Sequence, residues 1–350
     1  MPGKRKFRVL RVLIPLVLVG IIVGVILGYS FFQKVYSPNV DLHGKNEAHL
    51  YIYTGSTFED LTDTLEAKKW LKDQSSFIWV ANKKKYIDNV KPGKYLIEDG
   101  MSNNDLISLL RSGKQVPVKV TFNNIRTKDQ LAKQVSKNLE ATEAEVFGLL
   151  CDRNYISKYN LNSENIMSMF IPNTYEFRWN TSADDFFQRM ATEYKKFWTD
   201  ERKAKAKNAG LSQSEVSALA AIVQEETIKR DEKPKVAGVY INRLHDKWPL
   251  QADPTLKFAA GDFTLKRLLD KHKKIDSPYN TYLYPGLPPG PICLPEISSL
   301  DAVLNYEKHD YYFFCAKPDF SGYHNFSKSN AQHEQYAKLY HNALNKRKIR

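Results

Sequence analysis

The stretch SQSEVSALAAIVQEET, residues 212–227, predicts a helix that ends in carboxyl groups. Ser212 and Glu215 form a capping box, the sequence signature of a helix N-terminus. Apolar residues then recur at helical spacing, as on a buried face, at Val216, Leu219, Ala220, Ile222 and Val223. Continuing this helix face by three and four residues from Val223 and Ile222 reaches Glu226, whereas Glu225 points about 100° away. We therefore expect Glu226 to project from the end of an apolar stripe.

The position of Glu226 suits a catalytic carboxyl. Apolar neighbours disfavour the charged form of a carboxyl and raise its pKa, which is the condition for a general acid near neutral pH. The alternative is a structural ion pair between Glu226 and Lys229, Arg230 or Arg243. Helix geometry alone leaves both interpretations open.

Several motifs follow this helix in order. They are VAGVYINRL (236–244), LQADPT (250–255), YNTY (279–282), GLPPGPI (286–292) and HNF (324–326). Together with AAIVQEET (220–227), these blocks resemble the endolytic murein transglycosylases of the YceG-like family, over the chain from about residue 170 to its C-terminus. Several blocks in order are more specific than any one of them.

The resemblance implies an enzyme and a catalytic residue. The catalytic glutamate of the family directly precedes a threonine, and here that residue is Glu226. The implied reaction is lytic cleavage of the bond between N-acetylmuramic acid (MurNAc) and N-acetylglucosamine (GlcNAc) in nascent peptidoglycan strands, which gives 1,6-anhydroMurNAc ends and terminates strand elongation. No metal or cofactor is expected. Gln224 departs from the family pattern, which commonly has Glu or Asp there, so an accessory charge is absent.

The candidate substrate-binding residues are polar or aromatic side chains in the motifs after the helix: Gln251, Asp253, Tyr279, Asn280, Thr281, Tyr282, His324 and Phe326. Amide and hydroxyl groups suit hydrogen bonds to sugars, and tyrosine rings suit stacking on pyranose faces. Asp253 has three interpretations: it orients sugar hydroxyls, stabilises positive charge, or caps the next turn. Local packing is the alternative for the tyrosines, and a core position is the alternative for His324. We expect Asn242 and Arg243 to hold loops.

The N-terminal segment predicts one membrane span. The run from Val12 to Phe32 carries no charged residue and measures roughly 30 Å as a helix, which matches a bilayer core. Basic residues precede it, at Lys4, Arg5, Lys6, Arg8 and Arg11. The positive-inside rule therefore places the N-terminus in the cytoplasm and the body outside the bacterial inner membrane. A cleaved signal peptide is the alternative, but the apolar run is long and no small-x-small cleavage site follows it.

The predicted fold class is α+β. The β-α-α-β order of elements after residue 48 agrees with the small LysM-like module that the resemblance implies. The predicted parts are a cytoplasmic tail (1–11), a transmembrane helix (12–33), a linker (34–47), the LysM-like module (48–122), a helical connecting region (123–209) and a mixed α+β catalytic domain (210–350).

Charge and cysteines limit the remaining classes. The net charge is +13, and five of these charges precede the span. A basic exported body suits acidic wall or lipid groups, or solubility alone, and nucleic acid is not an expected partner outside the cell. Glycan strands are the expected partner, with synthases of elongation or division as further candidates. Three widely spaced cysteines, Cys151, Cys293 and Cys315, leave one disulfide open and predict no zinc site.

Two rival functions stay open. A muramidase-type hydrolase would use Glu226 and Asp253 with water. A non-catalytic wall-binding scaffold would rely on the LysM-like module and give Glu226 a structural role. The resemblance favours catalysis because its motifs cluster in the C-terminal part of the chain.

Overall fold

The computed structural model describes residues 3–122, 125–265 and 268–347, with side chains from residue 13 onward. The basic side chains that precede the predicted span therefore lie outside the described part. The chain divides into two compact units. Unit 1 comprises Met1–Val118 and Glu176–Asn180, and unit 2 comprises Lys119–Tyr175 and Thr181–Arg350.

The first element is one continuous apolar helix, α1 (Gly3–Tyr36). Its part Leu13–Tyr36 is long and apolar enough to cross a membrane, and the large apolar side chains from Leu13 to Phe32 are exposed. A helix that is apolar all round is stable in lipid or in a large core, and residues 13–32 of α1 are exposed instead of being buried in protein. This is consistent with single-pass membrane anchoring, although a signal sequence has the same length and composition.

Unit 1 continues with the predicted β-α-α-β order. Strands β1 (Glu47–Ile52) and β2 (Gly93–Glu98) pair antiparallel. Between them lie α2 (Phe58–Ala67) and α3 (Gln74–Lys83), and α4 (Asn103–Ser112) follows β2. The predicted β-α-α-β order is confirmed, and the likeness to a LysM module stays a prediction.

The segment predicted as a linker, residues 34–47, is packed into unit 1. Val35, Val40 and Leu42 are buried in the apolar core of this unit. The Asn39 side chain donates to Asn103 Oδ1 at 2.7 Å. The composition of the segment is mostly polar, but these three apolar side chains reach the core. The structure therefore replaces the predicted linker with a docked continuation of α1.

Unit 2 is mainly helical. Its elements before the motif region are α5 (Lys128–Ser136), α6 (Glu143–Cys151), α7 (Arg153–Ser157), a short 3-10 helix (Ile166–Met169), α8 (Ala183–Phe197) and α9 (Asp200–Asn208). The motif region contains α10 (Gln213–Glu226), α11 (Lys233–His245), α12 (Asp253–Ala260), α13 (Asp270–Lys273), α14 (Ile297–Leu304) and α15 (Asn330–Lys346). Strands β3 (Val118–Thr121) and β4 (Thr174–Phe177) pair in one sheet, and β5 (Phe313–Ala316) and β6 (His324–Ser327) pair antiparallel in another.

Apart from residues 176–180, the regions predicted as a connecting segment (123–209) and a catalytic domain (210–350) lie in unit 2. Phe197, Trp198 and Ala206 share a buried core with the apolar face of α10. The predicted boundary near residue 210 is a turn between α9 and α10, because apolar residues on both sides of it pack together. The three cysteines are free.

Candidate active site

Helix α10 carries Glu226 at its last residue. The predicted capping box begins the helix: the Glu215 N–H donates to Ser212 Oγ at 3.3 Å, and the Ser212 N–H donates to Glu215 Oε2 at 2.8 Å. The predicted apolar stripe of α10 is fully buried. Because that stripe ends at Glu226, the core of unit 2 holds this carboxyl half-buried at its edge.

The environment of the Glu226 carboxyl favours its protonated form. Burial raises the pKa of Glu226 to about 7, and the charge of Asp253 adds to the rise. A hydrogen bond from the Tyr240 hydroxyl to Glu226 Oε1, 2.7 Å long, opposes the rise. A carboxyl that titrates near neutral pH can both give and accept a proton under physiological conditions.

The alternative of a structural ion pair is not seen within the described part of the chain. Lys229 Nζ lies 4.7 Å from the ring centroid of Tyr323. The Arg243 guanidinium is buried and donates to the backbone oxygens of Tyr312 and Leu250. Arg243 therefore holds loops, as predicted, and acts on Glu226 only as a nearby charge that lowers its pKa.

The two residues before Glu226 are engaged elsewhere. Glu225 pairs with Arg126 at 2.7 Å. The side-chain oxygen Oε1 of Gln224 accepts hydrogen bonds from the Glu296 N–H at 2.6 Å and the Ser299 hydroxyl at 3.2 Å, at the start of α14. The uncharged amide of Gln224 satisfies these donors. The glutamine that departs from the family pattern at this position therefore has a structural role.

Asp253 and Tyr282 form a hydrogen-bonded pair within electrostatic range of the Glu226 carboxyl. Asp253 is exposed in the first turn of α12, and its Oδ1 accepts a hydrogen bond of 2.6 Å from the Tyr282 hydroxyl. Burial and this hydrogen bond raise the pKa of Tyr282, and the charge of Glu226 contributes as well. The structure thus brings three of the predicted site residues together.

The other residues of the LQADPT and YNTY motifs brace this arrangement. Gln251 is exposed at φ 50°, and its N–H donates to the Thr281 backbone oxygen at 3.0 Å. Thr281 is buried, and its hydroxyl oxygen accepts from the Ala252 N–H at 3.0 Å. Asn280 is buried and donates to two backbone oxygens of residues 273 and 275. The side-chain polar groups of Asn280 and Thr281 are engaged within the protein, so these two residues position the loop instead of facing a substrate.

Tyr279 and Phe326 pack against other rings. Tyr279 is half-buried with its ring centroid 4.5 Å from that of Phe258, and burial raises its pKa to about 12. Phe326 lies 6.0 Å from Phe314 across the β5–β6 hairpin. Both positions fit the packing alternative, and sugar stacking stays a prediction.

His324 is held by a carboxylate that the motifs do not single out. Glu232 is buried and accepts hydrogen bonds from the His324 backbone N–H and Nδ1, both at 2.7 Å, and from the Thr227 hydroxyl at 3.1 Å. Although burial alone would raise it, the bonds from His324 hold the pKa of Glu232 below its ordinary value. Because the ionised Glu232 carboxylate can only accept, Nδ1 of His324 carries a proton, and Nε2 is the ring nitrogen that can bind a ligand.

A series of contacts joins this pair to the Glu226 carboxyl. The ring of Phe314 lies 5.9 Å from Tyr240 and 5.3 Å from His324, nearly perpendicular to both. Tyr240 binds Glu226, and His324 is linked through Glu232 to Thr227, the residue after Glu226. The hairpin and the end of α10 are therefore fixed to each other.

Comparison with known proteins shows the family of the chain. Residues 50–339 match the model of the YceG-like family. The chain belongs to the YceG-like family. The resemblance in the motifs is thereby confirmed.

Two curated relatives and one solved structure extend the match. This YceG-like chain is 28% identical over 339 residues to the endolytic murein transglycosylase of Bacillus subtilis (strain 168), covering 92% of this chain and 93% of the relative. It is 28% identical over 319 residues to the one from Streptococcus pneumoniae serotype 2 (strain D39), covering 83% of this chain and 57% of the relative. A crystal structure of a putative YceG-like protein from Listeria monocytogenes matches with a TM-score of 0.55 at 26% identity, covering 83% of this chain and 99% of that one.

Sequence reasoning missed two partners in this YceG-like site. Tyr240 lies in an apolar run that is typical of a core helix, and only its hydroxyl reaches Glu226. Glu232 lies in the charged run 229–235, which is typical of a solvated turn. One signal for the burial of Glu232 was available in the sequence. The apolar residues after 235 bury the start of α11, and Glu232 is buried with it.

Proposed function

We propose that this chain is a membrane-anchored endolytic lytic transglycosylase of peptidoglycan. The observation that carries the proposal is the half-buried Glu226 carboxyl, hydrogen-bonded by Tyr240, with a pKa of about 7. The names of the Bacillus and Streptococcus relatives support the substrate and the reaction class. The bond cut is that between MurNAc and GlcNAc within nascent strands.

Glu226 acts first as an acid and then as a base. Its Oε1 accepts from Tyr240, so the proton to be given resides on Oε2. This proton passes to the glycosidic oxygen as that bond breaks and C1 gains positive charge. The carboxylate then accepts the proton of the muramoyl 6-hydroxyl as its oxygen bonds to C1. The product is a 1,6-anhydro end, water is not consumed, and Glu226 is protonated again.

The neighbouring side chains bind and stabilise the sugars. Asp253 carries an exposed negative charge close to Glu226, which suits stabilisation of the positive charge on C1. Tyr282 orients Asp253, and Gln251 and His324 Nε2 offer polar groups to the hydroxyl and acetamido groups of the strand. Asn280 and Thr281 hold the loop that carries Tyr282, where Tyr279 packs on Phe258, and Phe326 packs on Phe314 in the hairpin that carries His324.

Anchoring by α1 restricts which strands are cut. The basic residues before the span favour a cytoplasmic N-terminus, so the catalytic body lies outside the inner membrane. The packed segment 34–47 keeps unit 1 next to the end of α1. Strands that emerge from membrane synthases are then the nearest substrate, and cutting them ends their elongation.

Product analysis tests the proposal with a matched pair of variants. Purified glycan strands are digested with the wild type, Glu226→Gln and Glu225→Gln, and the new ends are weighed by mass spectrometry. Glu225 is the control because it is the adjacent carboxylate and pairs with Arg126. We expect anhydro ends, lighter than hydrolysed ends by one water, from the wild type and Glu225→Gln and none from Glu226→Gln.

Two outcomes contradict the proposal. Reducing ends alone would show the rival hydrolase that uses Glu226 and Asp253 with water. Uncut strands with the wild-type protein would favour the wall-binding scaffold.

A further inference from the structure

A tryptophan of unit 1 lies against the end of the apolar helix. Trp79 on α3 contacts Phe31 on α1, with ring centroids 6.0 Å apart and planes nearly perpendicular. The Nζ atoms of Lys34 and Lys83 lie 5.6 Å and 5.7 Å from the Trp79 ring centroid. One indole ring is thus flanked by two cations beside the predicted membrane span.

Buried groups make this joint rigid. Val35, in the last turn of α1, is 6% exposed and belongs to the core of unit 1. The buried Asn103 side chain donates to the Lys34 backbone oxygen and to Ser76 Oγ, both at 2.9 Å. The amide therefore ties the end of α1 to the first turn of α3. The depth of α1 in a membrane consequently fixes the depth of α3.

The composition of α1 sets that depth. The uncharged run ends at Phe32, and Gln33 and Lys34 are the first polar residues after it. At about 1.5 Å per residue, the run matches a hydrocarbon core of about 30 Å. Phe31 then lies at the outer boundary of this core, and Trp79 lies in the interfacial layer, where tryptophan is enriched in membrane proteins.

The inference rests on the proposed anchoring by α1. We propose that a membrane-facing patch of unit 1, formed by Phe31, Lys34, Ile78, Trp79 and Lys83, lies in the headgroup layer of the outer leaflet and binds anionic phospholipids. The Ile78 side chain is 39% exposed beside Trp79 and would be covered there. The lysine stems lie along apolar surface while their ammonium groups reach lipid phosphates.

Quenching by brominated lipids measures the depth of Trp79. The full chain is placed in vesicles of phosphatidylcholine, with or without phosphatidylglycerol, whose acyl chains carry bromine near the headgroup. The difference in tryptophan emission between the wild type and Trp79→Phe is the Trp79 share of the total emission. The matched control is Trp70→Phe, because Trp70 is a half-buried tryptophan of the same unit with Lys68 over its ring at 5.1 Å.

We expect bromine to remove the Trp79 share and to leave the Trp70 share unchanged, with a larger loss when phosphatidylglycerol is present. The double variant Lys34→Gln, Lys83→Gln keeps the indole and should abolish the effect of phosphatidylglycerol. Equal Trp79 emission with and without bromine would overturn the proposal, since the patch would then lie in water or under protein. Equal loss in both lipid mixtures would overturn the assignment of anionic lipids.

Cleavage of soluble glycan strands is measured on the same samples. Its absence would contradict the proposed enzymatic function without changing the depth of Trp79. The two proposals can therefore fail separately.

Discussion

Replacing Glu226 by Gln should abolish cleavage and stabilise the protein above neutral pH. Burial raises the pKa of Glu226 from 4.5 to about 7, and a difference of that size is equivalent to about 3 kcal/mol. Because the folded pKa is the higher one, the unfolded chain releases this proton first. The free energy of unfolding of the wild type therefore falls as pH rises from about 4.5 to about 7, and the loss is complete above that window.

The amide introduced by Glu226→Gln cannot ionise, and its oxygen can still accept from Tyr240. We expect this variant to match the wild type near about pH 4 and to exceed it by about 3 kcal/mol near about pH 8. Denaturant unfolding of the full chain in detergent, at several pH values, measures the difference. Glu225→Gln is the control and should show no such gain, because Glu225 pairs with Arg126. A difference independent of pH, or a more stable wild type at the higher pH, would refute the reasoning.

Three further predictions concern Tyr240, the Glu232–His324 pair and Gly290. The cleavage rate of the wild type should fall as pH rises through about 7. Tyr240→Phe removes a hydrogen bond that lowers the pKa of Glu226, so it should move this fall to higher pH, and it should lower kcat about tenfold. A pH–rate profile of Tyr240→Phe that falls at the same pH as the wild type would contradict this. In a double-mutant cycle, Glu232→Gln with His324→Gln should lose no more activity than the worse single variant, since Glu232 acts through His324. Additive losses would argue against it, and Asp310→Asn, which breaks the exposed pair with Lys328, serves as control. Gly290→Ala should lower stability by about 1–3 kcal/mol, because a Cβ there would collide with the Glu164 backbone oxygen, and an unchanged unfolding midpoint would count against the tight approach.

Local signals in the sequence were sufficient for α10. A capping box and an apolar stripe act within one helix, so both the start at Ser212 and the place of Glu226 at the end of the buried face follow from spacing. The β-α-α-β order of unit 1 was predicted for the same reason, and in the structure Thr57 and Gly113 cap two of its helices.

Contacts between distant parts of the chain were not predictable. Nothing near Tyr240 indicates that its hydroxyl meets a carboxyl fourteen residues earlier, and nothing near Glu232 indicates His324. The YNTY motif drew attention to the right loop, but its pattern does not tell exposed from buried polar groups. Asn280 and Thr281 are buried braces, whereas Tyr282 reaches Asp253.

The source of oxygen at the new chain ends tests the central claim most directly. Glycan strands are cut by the wild-type protein in water enriched in oxygen-18, and the ends are reduced at once and weighed. If Glu226 gives a proton and then takes one from the muramoyl 6-hydroxyl, the new ends carry no heavy oxygen. One heavy oxygen at each new muramoyl end would show that water attacks C1, and would contradict lytic cleavage.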